Sequence, residues 1–166
     1  AEHIPHILSR TPEVMVRAVK AGDQLQALLD SASVIVIGPG LGRSPWSQQM
    51  LWFACQSNKP MVVDADGLNL LADTGLADTN RVTEVKRNNW VLTPHPGEAS
   101  RLLGESTAII QRDRFQAVTS LQQKFGGSVV LKGAGTLIAR GVVIDRGAER
   151  DTERVAENAA AEGVVE

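Results

Sequence analysis

The feature that most constrains this chain is a run of four β-favouring apolar residues, Val34-Ile35-Val36-Ile37, that ends directly on Gly38-Pro39-Gly40-Leu41-Gly42. Such a run reads as a buried strand delivering a turn that glycines make most easily. Ser44 and Pro45 follow as an N-cap and a first-turn proline, so a helix is expected at once, its free N–H groups facing back over the loop. Bare amides together with the positive end of a helix dipole suit a phosphate. The spelling is neither of the common nucleotide-loop motifs, and a tight strand-to-helix turn without a ligand accounts for it equally well.

The same strand-to-helix alternation recurs along the chain. Val14, Val16 and Ala18 alternate with Met15, Arg17 and Val19 as a short strand would, and Asp23 is placed to cap a helix that turns Leu25, Leu28 and Leu29 inward. From Pro45 a helix presents Trp46, Met50, Phe53 and Ala54, and it stops at Asn58-Lys59-Pro60. Met61-Val62-Val63 is a second strand ending on Asp64; Asp66 can cap a short helix over 67–72, and 73–88 is polar enough to be surface connection. Trp90-Val91-Leu92 is a third strand, leaving through Thr93-Pro94-His95-Pro96-Gly97-Glu98 into a helix with Leu102 and Leu103 that Gly104 closes. One longer helix is expected over about 108–125, ending at Gly126-Gly127. Ser128-Val129-Val130-Leu131 is the fourth strand, Lys132-Gly133-Ala134-Gly135-Thr136 its exit, and Leu137-Ile138-Ala139 a further strand. This pattern predicts an α/β fold, a mostly parallel sheet with helices on both faces.

Composition narrows the partners. A chain of 166 residues with 43% hydrophobic content is enough for one domain with a real core. A formal charge of −2 gives no electrostatic reason to expect nucleic acid or an anionic membrane, so small soluble ligands fit better. The single cysteine, Cys55, excludes an intrachain disulfide framework and a multi-cysteine zinc site, and falls on the apolar face of a predicted helix. No window approaches the ~18 apolar residues of a membrane span, and the start lacks the segments of a signal peptide, so a cytoplasmic protein is expected. Its opening on Ala1 rather than Met fits a preceding segment.

In a doubly wound α/β sheet, ligands bind beyond the carboxyl ends of the strands, which directs attention to 38–42, 64–69, 93–98 and 132–136. Each of these stretches gathers unusual residues. Asp64 ends a strand, where it can face a phosphate or Mg²⁺ or simply cap a helix; Asp66 is as readily a cap. His95 lies between two prolines in a loop that cannot be helical, which presents its ring to a cleft. Glu98 in the first helical turn complements the dipole. Lys132 with Gly133, Ala134, Gly135 and Thr136 offers a cation, bare amides and a hydroxyl within five residues, a set suited to a nucleotide phosphate or ribose, with a solvated turn as the alternative. His3 and His6 are assigned nothing, and no residue is assigned to a metal.

Taken together, Val-Ile-Gly-Pro-Gly-Leu-Gly at 36–42, Asp-Ala-Asp-Gly-Leu-Asn at 64–69, Thr-Pro-His-Pro-Gly-Glu at 93–98 and Leu-Lys-Gly-Ala-Gly-Thr at 131–136 resemble the ADP-dependent NAD(P)H-hydrate dehydratase family in order and spacing. The resemblance covers roughly residues 13–140. It implies a ribokinase-like fold and repair of nicotinamide cofactors: hydrated NAD(P)H is dehydrated back to NAD(P)H at the expense of ADP or ATP, with Mg²⁺. It implies that the glycine loop, through Gly40 or Gly42, and His95 contact the hydrated cofactor, and that Lys132, Gly133, Ala134, Gly135 and Thr136 line the adenine nucleotide. It also implies either a homo-oligomer or fusion to an epimerase domain in a longer polypeptide.

One departure bears on activity. The family carries, after the strand that follows Thr136, a Gly-Met-Gly-Asp helix start whose glycines form an anion hole and whose Asp is the catalytic base. This chain continues Gly141-Val142-Val143-Ile144-Asp145-Arg146 instead, and residues 141–166 hold seven acids and three arginines, a net −4 against +2 for the remainder. The expectation is therefore a partial ribokinase-like core over 1–140, incomplete at both ends, with 141–166 a divergent acidic tail outside the core. No catalytic residue is assigned, and dehydration is expected to be impaired. A ribokinase-like small-molecule kinase and a non-catalytic nucleotide-binding remnant are the alternatives.

Overall fold

The computed structural model describes residues 4–73, 87–141 and 164–165. Their elements run α1 (Ile4–Arg10), α2 (Asp23–Ser31), β1 (Ile35–Ile37), α3 (Pro45–Gln56), β2 (Met61–Val63), α4 (Ala65–Asp73), β3 (Trp90–Leu92), α5 (Pro96–Leu103), α6 (Thr107–Arg112), α7 (Arg114–Phe125), β4 (Ser128–Leu131), β5 (Leu137–Arg140) and β6 (Val164–Val165). The strands form one sheet in sequence order: β1 through β4 are parallel, and β5 and β6 are antiparallel to their neighbours. Sequential order with parallel neighbours requires each crossover to carry a helix, and α3, α4 and α5–α7 do so. The carboxyl ends of β1–β4 therefore share one edge, the edge that the sequence marks with glycines, prolines and acids.

The core lies between the sheet and its helices. Val63, Leu92, Val129 and Leu131 on the central strands and Leu51, Leu68, Ile110 and Leu121 on the helices are fully buried. At the end of the sheet, β1 is less covered: Val36 is 69% exposed, and Val34 just before the strand 56%. Burial of roughly 1.5–3 kcal/mol per large side chain is thus concentrated in β2–β4, the strands that carry the loops of interest.

Several expected elements differ. The segment 14–19 forms no strand. The face expected to be buried is not: Val14 and Ala18 are exposed, and the partly buried residues are Val16 and Val19, three apart, which line an apolar cleft beside β1. The single helix expected over 108–125 is two, because Asp113 leaves helical geometry at φ −142°, ψ 86° and its carboxylate accepts the Gln116 N–H at 2.9 Å. An aspartate inside an apolar period acts here as an N-cap, satisfying a backbone donor that the helix cannot. Helix α4 begins at Ala65, so Asp66 lies in its first turn instead of capping it. Gly22, not Asp23, holds the N-cap position of α2.

Of the connection expected over 73–88, residues 74–86 lie outside the described residues, and Arg87 is buried. Its guanidinium donates to the carbonyls of Cys55 at 2.6 Å and Lys59 at 3.2 Å, and its Nε to Asn89 Oδ1 at 3.2 Å, fastening the start of β3 to the end of α3. Cys55 is half-buried against the core; burial pushes its thiol above the ordinary value, outweighing the opposing charge and hydrogen bond of Arg87. Residues 142–163 and 166 of the acidic tail also lie outside the described residues.

Candidate nucleotide site

The glycine loop is set by packing as much as by any ligand. Ser44 caps α3, accepting the Ser47 N–H at 3.2 Å, and the buried Ser47 hydroxyl donates to the Leu41 carbonyl at 2.6 Å, tying the loop to the helix that it launches. Gly38 has φ +133°, and a Cβ there would stand 1.7 Å from the Asp64 carbonyl oxygen, so only glycine allows β1 and β2 to end this close together. Gly42 donates its N–H to the Asp66 carboxylate at 2.9 Å. Gly40, at φ +69°, faces open space: a Cβ there would meet nothing within 4 Å. Of the two glycines singled out in the sequence, Gly42 has its amide engaged within the protein and Gly40 has no partner among the described residues.

The other three loops are joined to one another. Lys132 Nζ donates to Asp64 Oδ1 at 2.7 Å, an ion pair between residues 68 positions apart, and the Lys132 backbone N–H donates to the Pro94 carbonyl at 2.8 Å. Thr93 N donates to the Val63 carbonyl at 3.2 Å. Burial pushes the Asp64 carboxyl up, but hydrogen bonds from Lys132, Thr93 and the Ala65 N–H, with the charge of Lys132, outweigh it and leave the group below its ordinary value of 3.8. Ala65, the first residue of α4, takes φ +47°, a left-handed conformation uncommon for a residue with a side chain, directly after Asp64.

This arrangement predicts a specific acid response. A depressed folded-state value means that the pair's contribution to stability is present above the ordinary carboxyl value of 3.8 and is lost as pH falls through the lower folded-state value. Both side chains are partly solvated, so the contribution is below about 1 kcal/mol. Urea midpoints measured from about pH 6 to pH 2 should separate the parent chain from Lys132→Met at the upper end and converge at the lower. A pH-independent gap would show that the pair does not stabilise the fold through this charge.

His95 serves the architecture as well as the surface. It is the N-cap of α5: its Nδ1 accepts the Gly97 N–H at 3.0 Å, while Glu98 accepts the His95 backbone N–H at 2.8 Å and lies 3.2 Å from His95 Nε2. The Glu98 side chain is 6% exposed and the His95 ring 51%, so the carboxylate is structural and the ring remains presented to solvent beside the Pro94–Lys132 contact.

The turn 132–136 joins β4 to β5. Gly133 has φ +158° and Gly135 φ +74°. The N–H groups of 133–136 have no partner among the described residues, whereas three carbonyls of the turn region are taken up by Arg114: its Nη1 donates to Ala134 O at 2.6 Å and its Nη2 to Leu131 O at 3.3 Å and Gly135 O at 2.5 Å. Arg114 was not legible as a site residue. The available signal was its type and position, a cation in the first turn of α7, where the helix dipole disfavours it.

Amides without a partner among the described residues and a half-exposed ammonium in one turn, with a half-buried guanidinium from α7 behind it, can hold a polyphosphate. The carboxylates fit a bound metal less well. Mg²⁺ takes one or two carboxylates plus phosphate oxygens, and here Asp64 is engaged by Lys132 and Asp66 by Gly42. Among the described residues no cluster of three or more His, Cys, Asp or Glu side chains exists. A cleft of about 480 Å³ lies elsewhere, between α1, α2, α3 and β1, lined mainly by aliphatic side chains such as Ile7, Leu29 and Met50.

The fold and this edge define a ribokinase-like domain. A ribokinase-like superfamily protein from Enterococcus faecalis superposes with a TM-score of 0.70 at 25% identity, over 85% of this chain and 48% of that one. An ADP/ATP-dependent NAD(P)H-hydrate dehydratase from Bacillus subtilis, co-crystallised with ATP and Mg²⁺, superposes at 0.60 with 26% identity, over 84% of this chain and 48% of that one. The NAD(P)H-hydrate dehydratase family profile matches residues 1–153, and the chain belongs to that family. The bifunctional NAD(P)H-hydrate repair enzyme of Coxiella burnetii is 50% identical over 137 residues, covering 82% of this chain and 26% of that protein. The chain thus spans about a quarter of that bifunctional relative and about half of the two solved structures.

Proposed function

We propose that this chain forms part of an enzyme that dehydrates hydrated NAD(P)H to NAD(P)H at the expense of ADP or ATP, with the adenine nucleotide on 132–136 and the hydrated cofactor near Gly40, Gly42 and His95. The observation that carries the reading is the turn 133–136, whose amides have no partner among the described residues while its Ala134 and Gly135 carbonyls are drawn onto Arg114. Lys132 gives one of its three N–H donors to Asp64, leaving two for a phosphate. Phosphoryl transfer to the cofactor's hydroxyl, or charge stabilisation beside it, would turn that hydroxyl into a leaving group. Mg²⁺ would enter with the nucleotide and be held chiefly by its phosphates, supplying neutralisation of their charge.

The same reading places the chain in the cytoplasm, within a longer polypeptide that includes an epimerase domain or within a homo-oligomer. The longer polypeptide or oligomer is supported by the bifunctional relative and by the exposed Val34 before β1 and Val36 on it, which further structure would cover. No described helix is long and apolar enough to cross a membrane.

Calorimetric titration with ADP tests the nucleotide assignment. The parent chain should bind, and Lys132→Ala should bind about 3- to 30-fold more weakly, the loss of one charge-assisted contact. No heat with the parent chain would refute the site, and equal binding by both would remove Lys132 from it.

A further inference from the structure

We infer that Arg114 is the positioning residue of the 132–136 turn: it turns the Gly135 and Thr136 amides outward and keeps an uncompensated positive charge behind them for the nucleotide's phosphates. This rests on the nucleotide reading above and assigns a part to a residue on a different element. A guanidinium presents its donors as a planar fork. Here the fork reaches the carbonyls of Leu131, Ala134 and Gly135, which together span the turn from the end of β4. A trans peptide unit whose oxygen points at the cation holds the N–H of the next residue away from it: the Leu131 carbonyl thus sends the Lys132 N–H to Pro94, and the Ala134 and Gly135 carbonyls turn out the N–H groups of Gly135 and Thr136, which have no partner among the described residues. The fit is close: a Cβ on Gly133 would come within 2.9 Å of Arg114 Nη2, so the glycine is required for the guanidinium to lie against the backbone.

Charge points to the same role. Lys132 is paired with Asp64, so its field at the turn is partly cancelled. Arg114 has no acidic partner among the described residues; its neighbour Asp113 is engaged by the Gln116 N–H, and its own Nε is buried without a hydrogen bond. Carbonyl oxygens satisfy the donors of a guanidinium without neutralising it. A cation at the N-terminus of α7, half-buried beneath exposed amides, adds to the positive potential that the amides present. The phosphate count of the nucleotide should therefore matter to any change at Arg114.

The test compares AMP, ADP and ATP by calorimetry on the parent chain, Arg114→Met and Arg114→Lys, with thermal melts alongside. Arg114→Met should weaken ATP by about tenfold or more, ADP by less and AMP by about twofold, because charge and amide orientation are lost together. Arg114→Lys keeps the charge without the fork, and should fall between the parent and Arg114→Met for ATP. If Arg114→Met no longer melts cooperatively, the graded loss is read on Arg114→Lys alone, where a larger effect on ATP than on AMP is still required. Loss by one common factor for all three nucleotides would reduce Arg114 to a brace of the fold and overturn the inference. Unchanged ATP binding in both variants would do the same while leaving the nucleotide site standing, whereas no binding by the parent chain would overturn the site and this role with it.

Discussion

Replacing Gly38 with Ala should leave little or no folded protein at 37 °C. The methyl would be placed 1.7 Å from the Asp64 carbonyl oxygen, at a φ of +133° that side chains rarely adopt, and the obstacle is backbone, not a movable side chain. Relief requires β1 and β2 to separate at their carboxyl ends, where Asp64 N also donates to the Ile37 carbonyl at 3.1 Å and Gly67 N to the Asp64 carbonyl at 3.0 Å. Strain plus lost hydrogen bonds should exceed about 4 kcal/mol, against a total of about 5–15 for a domain. Gly40→Ala is the matched control: its φ is +69° but nothing stands within 4 Å, so a cost of about 1–2 kcal/mol is expected. Soluble yield and denaturant midpoints measure both, and a Gly38→Ala protein as stable as the control would mean that the loop is more pliant than its geometry indicates.

The second large effect concerns turnover. Residues 141–166 contain no Gly-Met-Gly-Asp, the segment that the family resemblance makes the anion hole and the general base. Each of those functions is typically worth about 10²–10³ in rate. Incubation of this chain with hydrated NADH, ADP and Mg²⁺ should regenerate the reduced-nicotinamide absorbance slowly, and extending it after Arg140 with a family-like Gly-Met-Gly-Asp segment and following helices should raise the rate by orders of magnitude. Asp64 and Asp66 are poor substitutes, since one is held by Lys132 and the other by the Gly42 amide. Full turnover without the extension would place the base elsewhere.

What could be read from the sequence followed from local signals. Apolar runs leading within two residues to Gly, Pro or Asp gave β1–β4 and their order along the chain, and Ser44-Pro45 and Gly104 marked the start of α3 and the end of α5 in the amino acids themselves. The family motifs supplied the candidate loops. What stayed hidden depends on partners far along the chain: Asp66 reads as a cap until Gly42 is seen to donate to it across 24 residues, and Arg114 reads as one helical cation until it meets carbonyls 17 to 21 residues later. The alternation at 14–19 misled because a period of two requires one face to be buried, and of Val14, Val16 and Ala18 only Val16 is partly so. Asp113 misled in the opposite sense, since an acid that caps a helix is indistinguishable by period from one on a solvated face.

The ion pair between Asp64 and Lys132 also has a bearing on the order in which the chain assembles. It closes a loop of 68 residues and needs β2, β3 and β4 side by side, and the Lys132 N–H to Pro94 bond, another long closure, needs β3 beside β4. The loops of the candidate site are thus among the last parts to come together and the first to part when the sheet edge opens. A ligand that requires all of them binds only the finished fold, and by mass action adds about 2.7 kcal/mol to its stability when present at 100 times its dissociation constant. The supply of nucleotide would then set not only how often the site is filled but how long the chain survives degradation.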